Sequence, residues 1–197
     1  MITIGLTGGI GSGKTTIAQW FQEKGIPVYN SDFEAKKLMN ENEDLIQQLI
    51  ELFGDETYKN GEYNRSYVAS KVFNDKELLN QLNAIVHPAV FKHFDEWLDN
   101  QNSSFVVKEA AILFESGSYK DCDYIISVIA DEEIRIKRVA KRDQLNEDQI
   151  RNRMKSQWND QQRIEKSDFI IENNKDLNAL KLEFEKVYDE ILDRIHE

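Results

Sequence analysis

LTGGIGSGKTT, residues 6–16, is the stretch on which the reading of this chain turns. Four glycines fall within positions 8–13, and a lysine and two threonines follow at once. Packing does not select such a run, because glycine loses the most chain entropy on folding and brings no side chain to bury. Gly8 to Thr15 match G-x-x-x-x-G-K-S/T, a loop whose backbone amides converge on phosphate oxygens while side chains stay out of the way. The helix that starts near Lys14 adds its free amides and the positive end of its dipole. Lys14 is placed to reach the β and γ phosphates, and the Thr15 hydroxyl to ligate Mg²⁺. The candidate ATP-binding set is Gly8, Gly9, Gly11, Ser12, Gly13, Lys14, Thr15 and Thr16.

The flanks supply the context this motif requires. ITIGLT (2–7) is an uncharged, β-branched run suited to a buried parallel strand. TTIAQWFQEKG (15–25) carries Ile17, Ala18 and Phe21 at helical spacing and stops at Gly25. IPVYNSD (26–32) reads as a second strand with a polar end. The rival dinucleotide fingerprint, G-x-G-x-x-G, fails: begun at Gly9 it meets Lys14, and begun at Gly11 it meets Thr16.

Beyond residue 33 the pattern is mostly helical as far as about residue 100, which predicts an inserted subdomain, with a kink or fresh helix start at Pro88. SFVVKEAAILF (104–114), DYIISVIAD (123–131) and DFIIEN (168–173) return to strand character, and a closing helix repeats Leu177, Leu180, Phe184, Val187, Tyr188, Ile191 and Ile195 on one stripe. Alternating strands and helices give an α/β fold with a parallel sheet. The 197 residues suit one domain. Cys122 is the only cysteine, so no disulfide forms within the chain. Without a basic-apolar leader or a membrane-length apolar run, the expected location is cytoplasmic. A net charge of −11 disfavours nucleic-acid and membrane surfaces as partners, and no obligate protein partner is evident.

A triphosphate-binding loop leaves three classes: kinase, switch GTPase and motor ATPase. The guanine-reading N-K-x-D is missing, since Asn174-Lys175-Asp176 is followed by Leu177, and no D-x-x-G occurs. A small kinase remains, and it needs a base, cations and an acceptor pocket. Asp32 ends the second strand, expected beside the P-loop strand, at the carboxyl edge where ligands bind in such sheets. It serves either as that base or as a helix N-cap. Arg135, Arg138 and Arg142 fall at i, i+3 and i+7 on one helical face, with Lys137, Lys141, Arg151, Arg153 and Lys155 nearby. In an acidic chain this cluster suggests a mobile lid that lays arginine on the transferring phosphoryl group.

At this point the ordered motifs resemble those of the dephospho-coenzyme A kinase family. GLTGGIGSGKTT (5–16) is similar to its opening loop, Asn30-Ser31-Asp32 to its D-A-D, and Leu82 to Pro88 to its L-N-x-I-x-H-P. Ala111 to Glu115 are similar to its P-L-L-F-E, Arg138 to Asp143 to its R-x-x-x-R-D, and Ser167 to Asn173 to its A-D-x-V-I-x-N; Gln157 and Arg163 stand at its spaced glutamine and arginine. The resemblance implies a P-loop kinase core with a parallel sheet flanked by helices (1–32, 101–137 and 156–197), a helical coenzyme-A-binding insertion (33–100) and a helical lid (138–155). It implies transfer of the ATP γ-phosphoryl group, with Mg²⁺, to the ribose 3′-hydroxyl of dephospho-coenzyme A. Lys14, Arg138, Arg142 and Asp32 become the catalytic candidates, Asp32 as base. Arg65, His87 and Glu115 are candidate substrate contacts; Arg65 either binds substrate phosphate or solvates its loop, and a helix-junction role is the plainer reading of His87. Asn30 replaces the first aspartate of D-A-D, so that acid cannot be essential here, and Ala111 replaces the proline. Another nucleoside or nucleotide kinase, or an ATP-dependent binding switch, is the alternative.

Overall fold

The computed structural model describes residues 1–73 and 75–196. In chain order the elements are β1 (Ile2–Thr7), α1 (Lys14–Glu23), β2 (Val28–Asn30), α2 (Ser31–Glu41), α3 (Glu43–Phe53), β3 (Tyr58–Lys59), β4 (Glu62–Tyr63), α4 (Arg65–Val72) and α5 (Lys76–Asp99). They continue with β5 (Phe105–Glu109), β6 (Tyr124–Ile129), α6 (Glu132–Asp143), α7 (Glu147–Lys155), α8 (Asp160–Ile164), β7 (Phe169–Glu172) and α9 (Leu177–His196). The chain divides into two compact units, Met1–Asn30 with Asn102–Glu197, and Ser31–Gln101.

The first unit is built on a five-stranded sheet in the order β2-β5-β1-β6-β7, every pair parallel. Alternate residues of each strand point to one face, where Ile4, Leu6, Phe105, Val107, Ile126, Val128, Phe169 and Ile171 join Ile17 and Phe21 of α1 with Leu180, Phe184 and Ile191 of α9. The rings of Phe21 and Phe184 meet edge-on at 5.0 Å, and those of Phe21 and Phe105 at 6.3 Å. Each such pair adds about 0.5–1.5 kcal/mol beyond the area it buries. The opposite face is covered by Leu113 and Phe114, which pack with Ile125 and the half-buried Cys122 and Trp158. A Cβ on Gly5 would lie 2.7 Å from Leu113, so β1 needs glycine where that cover comes closest.

One expectation changes here. Asp32 was placed at the end of a strand beside β1, but β5 lies between β1 and β2. The crossover through α1 carries the chain two strand positions away, and β5 returns into the space left open. β2 ends at Asn30, so Asp32 belongs to the first turn of α2. The run 104–114 likewise stops being strand at Glu109 and continues as turns.

The second unit is helical, with Leu45, Leu49, Phe53, Val68, Val86, Val90 and Phe94 buried. Its polar link holds a short hairpin, β3–β4, around Asn60 and Gly61 at φ 55° and 82°. Asn-Gly suits that two-residue turn because both positions must be left-handed. α5 is a single helix of 24 residues that contains Pro88, so no fresh start occurs there. Proline removes one helical N–H, the partner expected for the Ala84 carbonyl, but the bonds on either side carry the helix through.

Candidate functional site

The loop 8–13 joins β1 to α1 at the carboxyl edge of the sheet. Gly13, at φ 104°, is the N-cap of α1 and supplies no side-chain cap, which suits this helix end to an anion. Gly9 is required for space: a Cβ there would overlap the Arg135 guanidinium. The loop is braced from outside. Gln157 Oε1 accepts from the Ile10 amide at 2.9 Å, and Asn173 Nδ2 donates to the Ser12 carbonyl at 2.7 Å. The Lys14 ammonium donates to the Gly8 carbonyl at 2.9 Å, across the loop.

Three arginines gather around this loop. Arg138 Nη2 donates to Asn173 Oδ1 at 3.1 Å. Arg135 lies 3.6 Å from Asp160 with its side chain 11% exposed. Arg163 is fully buried; it donates to the Trp158 carbonyl and lies 3.3 Å from Asp160 and 3.6 Å from Glu115. Burial pushes the Arg163 pKa down, opposed by the charges of Glu115 and Asp160. Arg135 Nε, Arg138 Nη1, Arg163 Nε and the hydroxyls of Thr7 and Ser12 are buried without a hydrogen-bond partner among the described residues. Buried donors left over beside a glycine loop fit an anion, because each costs about 1–3 kcal/mol when unsatisfied.

The structure sorts the other expected residues. Thr15 is exposed and Thr16 half-buried in the first turn of α1. Arg142 turns away from the loop and forms two bonds with Asp143, at 2.7 and 2.9 Å, leaving its side chain 62% exposed. The three arginines grouped on one helical face therefore part: Arg135 and Arg138 join the loop and Arg142 an exposed ion pair. Glu115 Oε1 accepts from the Trp158 amide at 2.7 Å, which fixes the turn carrying Gln157. Phe114 and Trp158 stack face to face at 4.8 Å beneath it. The lid boundary expected at 138 falls inside α6, whose Ile136 and Val139 pack with Ile150 of α7. Asn30 Nδ2 donates to Glu109 Oε2 at 2.8 Å, so the asparagine that stands in place of an acid partners the neighbouring acid.

In the helical unit, Arg65 is the exposed first residue of α4 after the Asn64 cap. His87 is half-buried within α5, 6.1 Å from the Phe91 ring, and burial holds its pKa below the ordinary imidazole value. With α5 unbroken there is no junction for it to cap. Asp32 lies in the first turn of α2. Cys122 is pushed up to about 12 by burial, which makes it an inert protonated thiol.

Sequence reasoning undervalued Asn173 and Arg135. Each was visible as a motif letter or a face position, but nothing along the chain says that residue 173 touches residues 12 and 138. Among the described residues no group of three His, Cys, Asp or Glu side chains could hold a metal ion.

A family model described as dephospho-CoA kinase matches residues 2–179. The chain is similar to the dephospho-CoA kinase of Salinibacter ruber, with 40% identity covering 95% of this chain and 96% of the relative. Among solved structures it is similar to a Thermus thermophilus protein, with TM-score 0.85 and 32% identity over 96% of this chain and 97% of the other. It is also similar to the dephospho-CoA kinase of Campylobacter jejuni, with TM-score 0.70 and 28% identity over 96% of each chain.

Proposed function

The chain belongs to the dephospho-CoA kinase family, and from that premise we propose how its residues carry out the reaction. The enzyme is an ATP-dependent kinase that transfers the γ-phosphoryl group to the ribose 3′-hydroxyl of dephospho-coenzyme A. The oxygen of that hydroxyl forms a bond to the γ-phosphorus while the bond from phosphorus to the β–γ bridging oxygen breaks. The hydroxyl proton leaves, and ADP departs with the bridging electrons. Little covalent chemistry falls to the protein, so its work is positioning and charge stabilisation.

The loop amides and the first turn of α1 hold the phosphates. Lys14 exchanges the Gly8 carbonyl for the β and γ oxygens. Arg138, whose buried Nη1 has an unused N–H, meets the charge that spreads over the transferred group. The Thr15 hydroxyl, together with the phosphates, would hold a Mg²⁺, which would supply charge neutralisation at the phosphate oxygens. Asp32 accepts or orients the proton of the acceptor hydroxyl. Two residues beyond the carboxyl end of β2, it stands in the chain where the family motif puts an acid. Arg65, His87 and Glu115 keep their proposed part in acceptor binding; Glu115 acts there through the Trp158 turn. Residues 138–155 form the proposed lid, and 33–100 the acceptor-binding insertion.

The observation that supports the reading best is the convergence of surplus buried donors on a braced glycine loop. The test is an acceptor panel with ATP and Mg²⁺, read as ADP formation. Dephospho-coenzyme A is expected to drive turnover far above nucleosides and nucleoside monophosphates, with the product phosphorylated at the 3′ position. Equal rates with a nucleoside monophosphate would assign the acceptor site to a different kinase.

A further inference from the structure

We infer that Asn173 is a positioning residue, which ties Arg138 and the phosphate-binding loop into one unit so that the arginine's aim follows the loop. The inference rests on the catalytic reading of Arg138 given above. Asn173 follows β7 and is only 6% exposed. Its amide N–H bonds to the Ile129 carbonyl at 2.8 Å, extending the β6–β7 ladder by one rung. The backbone is thus set by the sheet, the most rigid part of the unit. The side chain then spends each end differently. Nδ2 donates to the Ser12 carbonyl at 2.7 Å, and Oδ1 accepts from Arg138 Nη2 at 3.1 Å.

Only a primary amide supplies a donor and an acceptor at these two ends. A carboxylate keeps the arginine bond and loses the bond to Ser12, and a hydroxyl is too short to span both. The fit is close on the loop side as well: a Cβ on Gly13 would overlap Asn173 Nδ2. The glycine that caps α1 is therefore bare partly to admit this asparagine. Arg138 leaves its other terminal nitrogen, Nη1, buried and without a partner. One end of the guanidinium is anchored and the other is offered. A group so held needs no reorganisation as charge develops on the phosphoryl oxygens.

The test is a double-mutant cycle with Asn173→Ala, Arg138→Ala and both together, with Asn173→Asp as the conservative variant. kcat, KM for ATP and the thermal midpoint are measured for each. Asn173→Ala is expected to lower kcat by about 10- to 100-fold, the scale of misplacing a catalytic group by an ångström. In the Arg138→Ala background the same substitution should cost less than about threefold, because the bond it breaks is already gone. Asn173→Asp retains the acceptor for Arg138 and should keep kcat closer to wild type than alanine does, with the larger part of its loss in KM for ATP. If alanine at 173 impairs folding, Asn173→Leu, similar in size and unable to make either bond, takes its place in the cycle. Equal fold-losses in the two backgrounds would overturn the coupling. Normal kcat for Asn173→Ala beside a damaged Arg138→Ala would overturn the role of Asn173 alone. Normal kcat for Arg138→Ala would overturn the catalytic reading of the arginine itself.

Discussion

At the scale of single residues, Asp32 carries the sharpest choice, between proton acceptor and a first-turn charge that supports α2; lying inside the helix, it is not the N-cap. The structure moves it off the strand and into the first turn of α2, where a negative side chain also favours the helix dipole. Asp32→Asn preserves size and hydrogen-bonding shape while removing the base. Turnover with dephospho-coenzyme A should fall about 10²-fold or more, the usual scale for a lost general base, with ATP binding nearly unchanged. A thermal melt beside the kinetics separates the two roles: a base leaves the melt in place, whereas a dipole role lowers the midpoint and spares kcat per folded molecule. Lys14, Gly13 and Thr15 were legible because the loop's chemistry is written in consecutive letters. Asn173 was not, since its meaning depends on a partner 161 positions away in the chain.

At the scale of elements, α6 carries arginines at 138 and 142 that differ in surroundings despite their shared face. Arg138 is held beside the loop by Asn173, while Arg142 is occupied by Asp143 in an exposed pair. Arg138→Ala should lower kcat by about 10²-fold with a smaller change in ATP affinity, because charge on the transferred group peaks in the transition state. Arg142→Ala should cost much less. An equal loss at Arg142 would mean that its pair with Asp143 opens during turnover and that the end of α6 moves onto the phosphates. α5 offers a pH-dependent check. Burial lowers the folded pKa of His87, so the unfolded chain takes up this proton first as pH falls. The stability it supports is complete above the ordinary imidazole pKa of about 6.5 and declines below it. His87→Gln should flatten the loss of thermal stability between about pH 6.5 and pH 5, measured against wild type in matched buffers. Helical spacing in 76–99 was plain from the sequence. The continuity of α5 through Pro88 was not, because a proline's local cost is outweighed when buried residues on both sides, Val86 and Val90, hold the helix in line.

At the scale of the whole molecule, the net charge of −11 coexists with a knot of arginine around one loop. Self-repulsion of the remaining surface works against the compact state. Raising the ionic strength from about 0.01 M to about 0.15 M shortens the screening length from about 30 Å to about 8 Å. The thermal midpoint should rise by roughly 2–4 °C if this relieves about 1 kcal/mol in a chain of this size. A fall instead would mean that exposed pairs, such as Arg151 with Glu133 and Glu147, outweigh the repulsion.

The sequence by itself determined the α/β class, because strand hydrophobicity and helical period are local patterns, and its ordered motifs carried the resemblance that implied the reaction. It also placed a helical insertion after the second strand. Only the tertiary structure decided that β5 separates β1 from β2, that Arg138 rather than Arg142 stands by the loop, and that Gln157 and Asn173 brace the loop from two sides. Those facts rest on contacts between residues far apart in the chain. They depend on how strands order in the sheet and where turns bring buried polar groups to their partners, and neither leaves a periodic mark along the sequence.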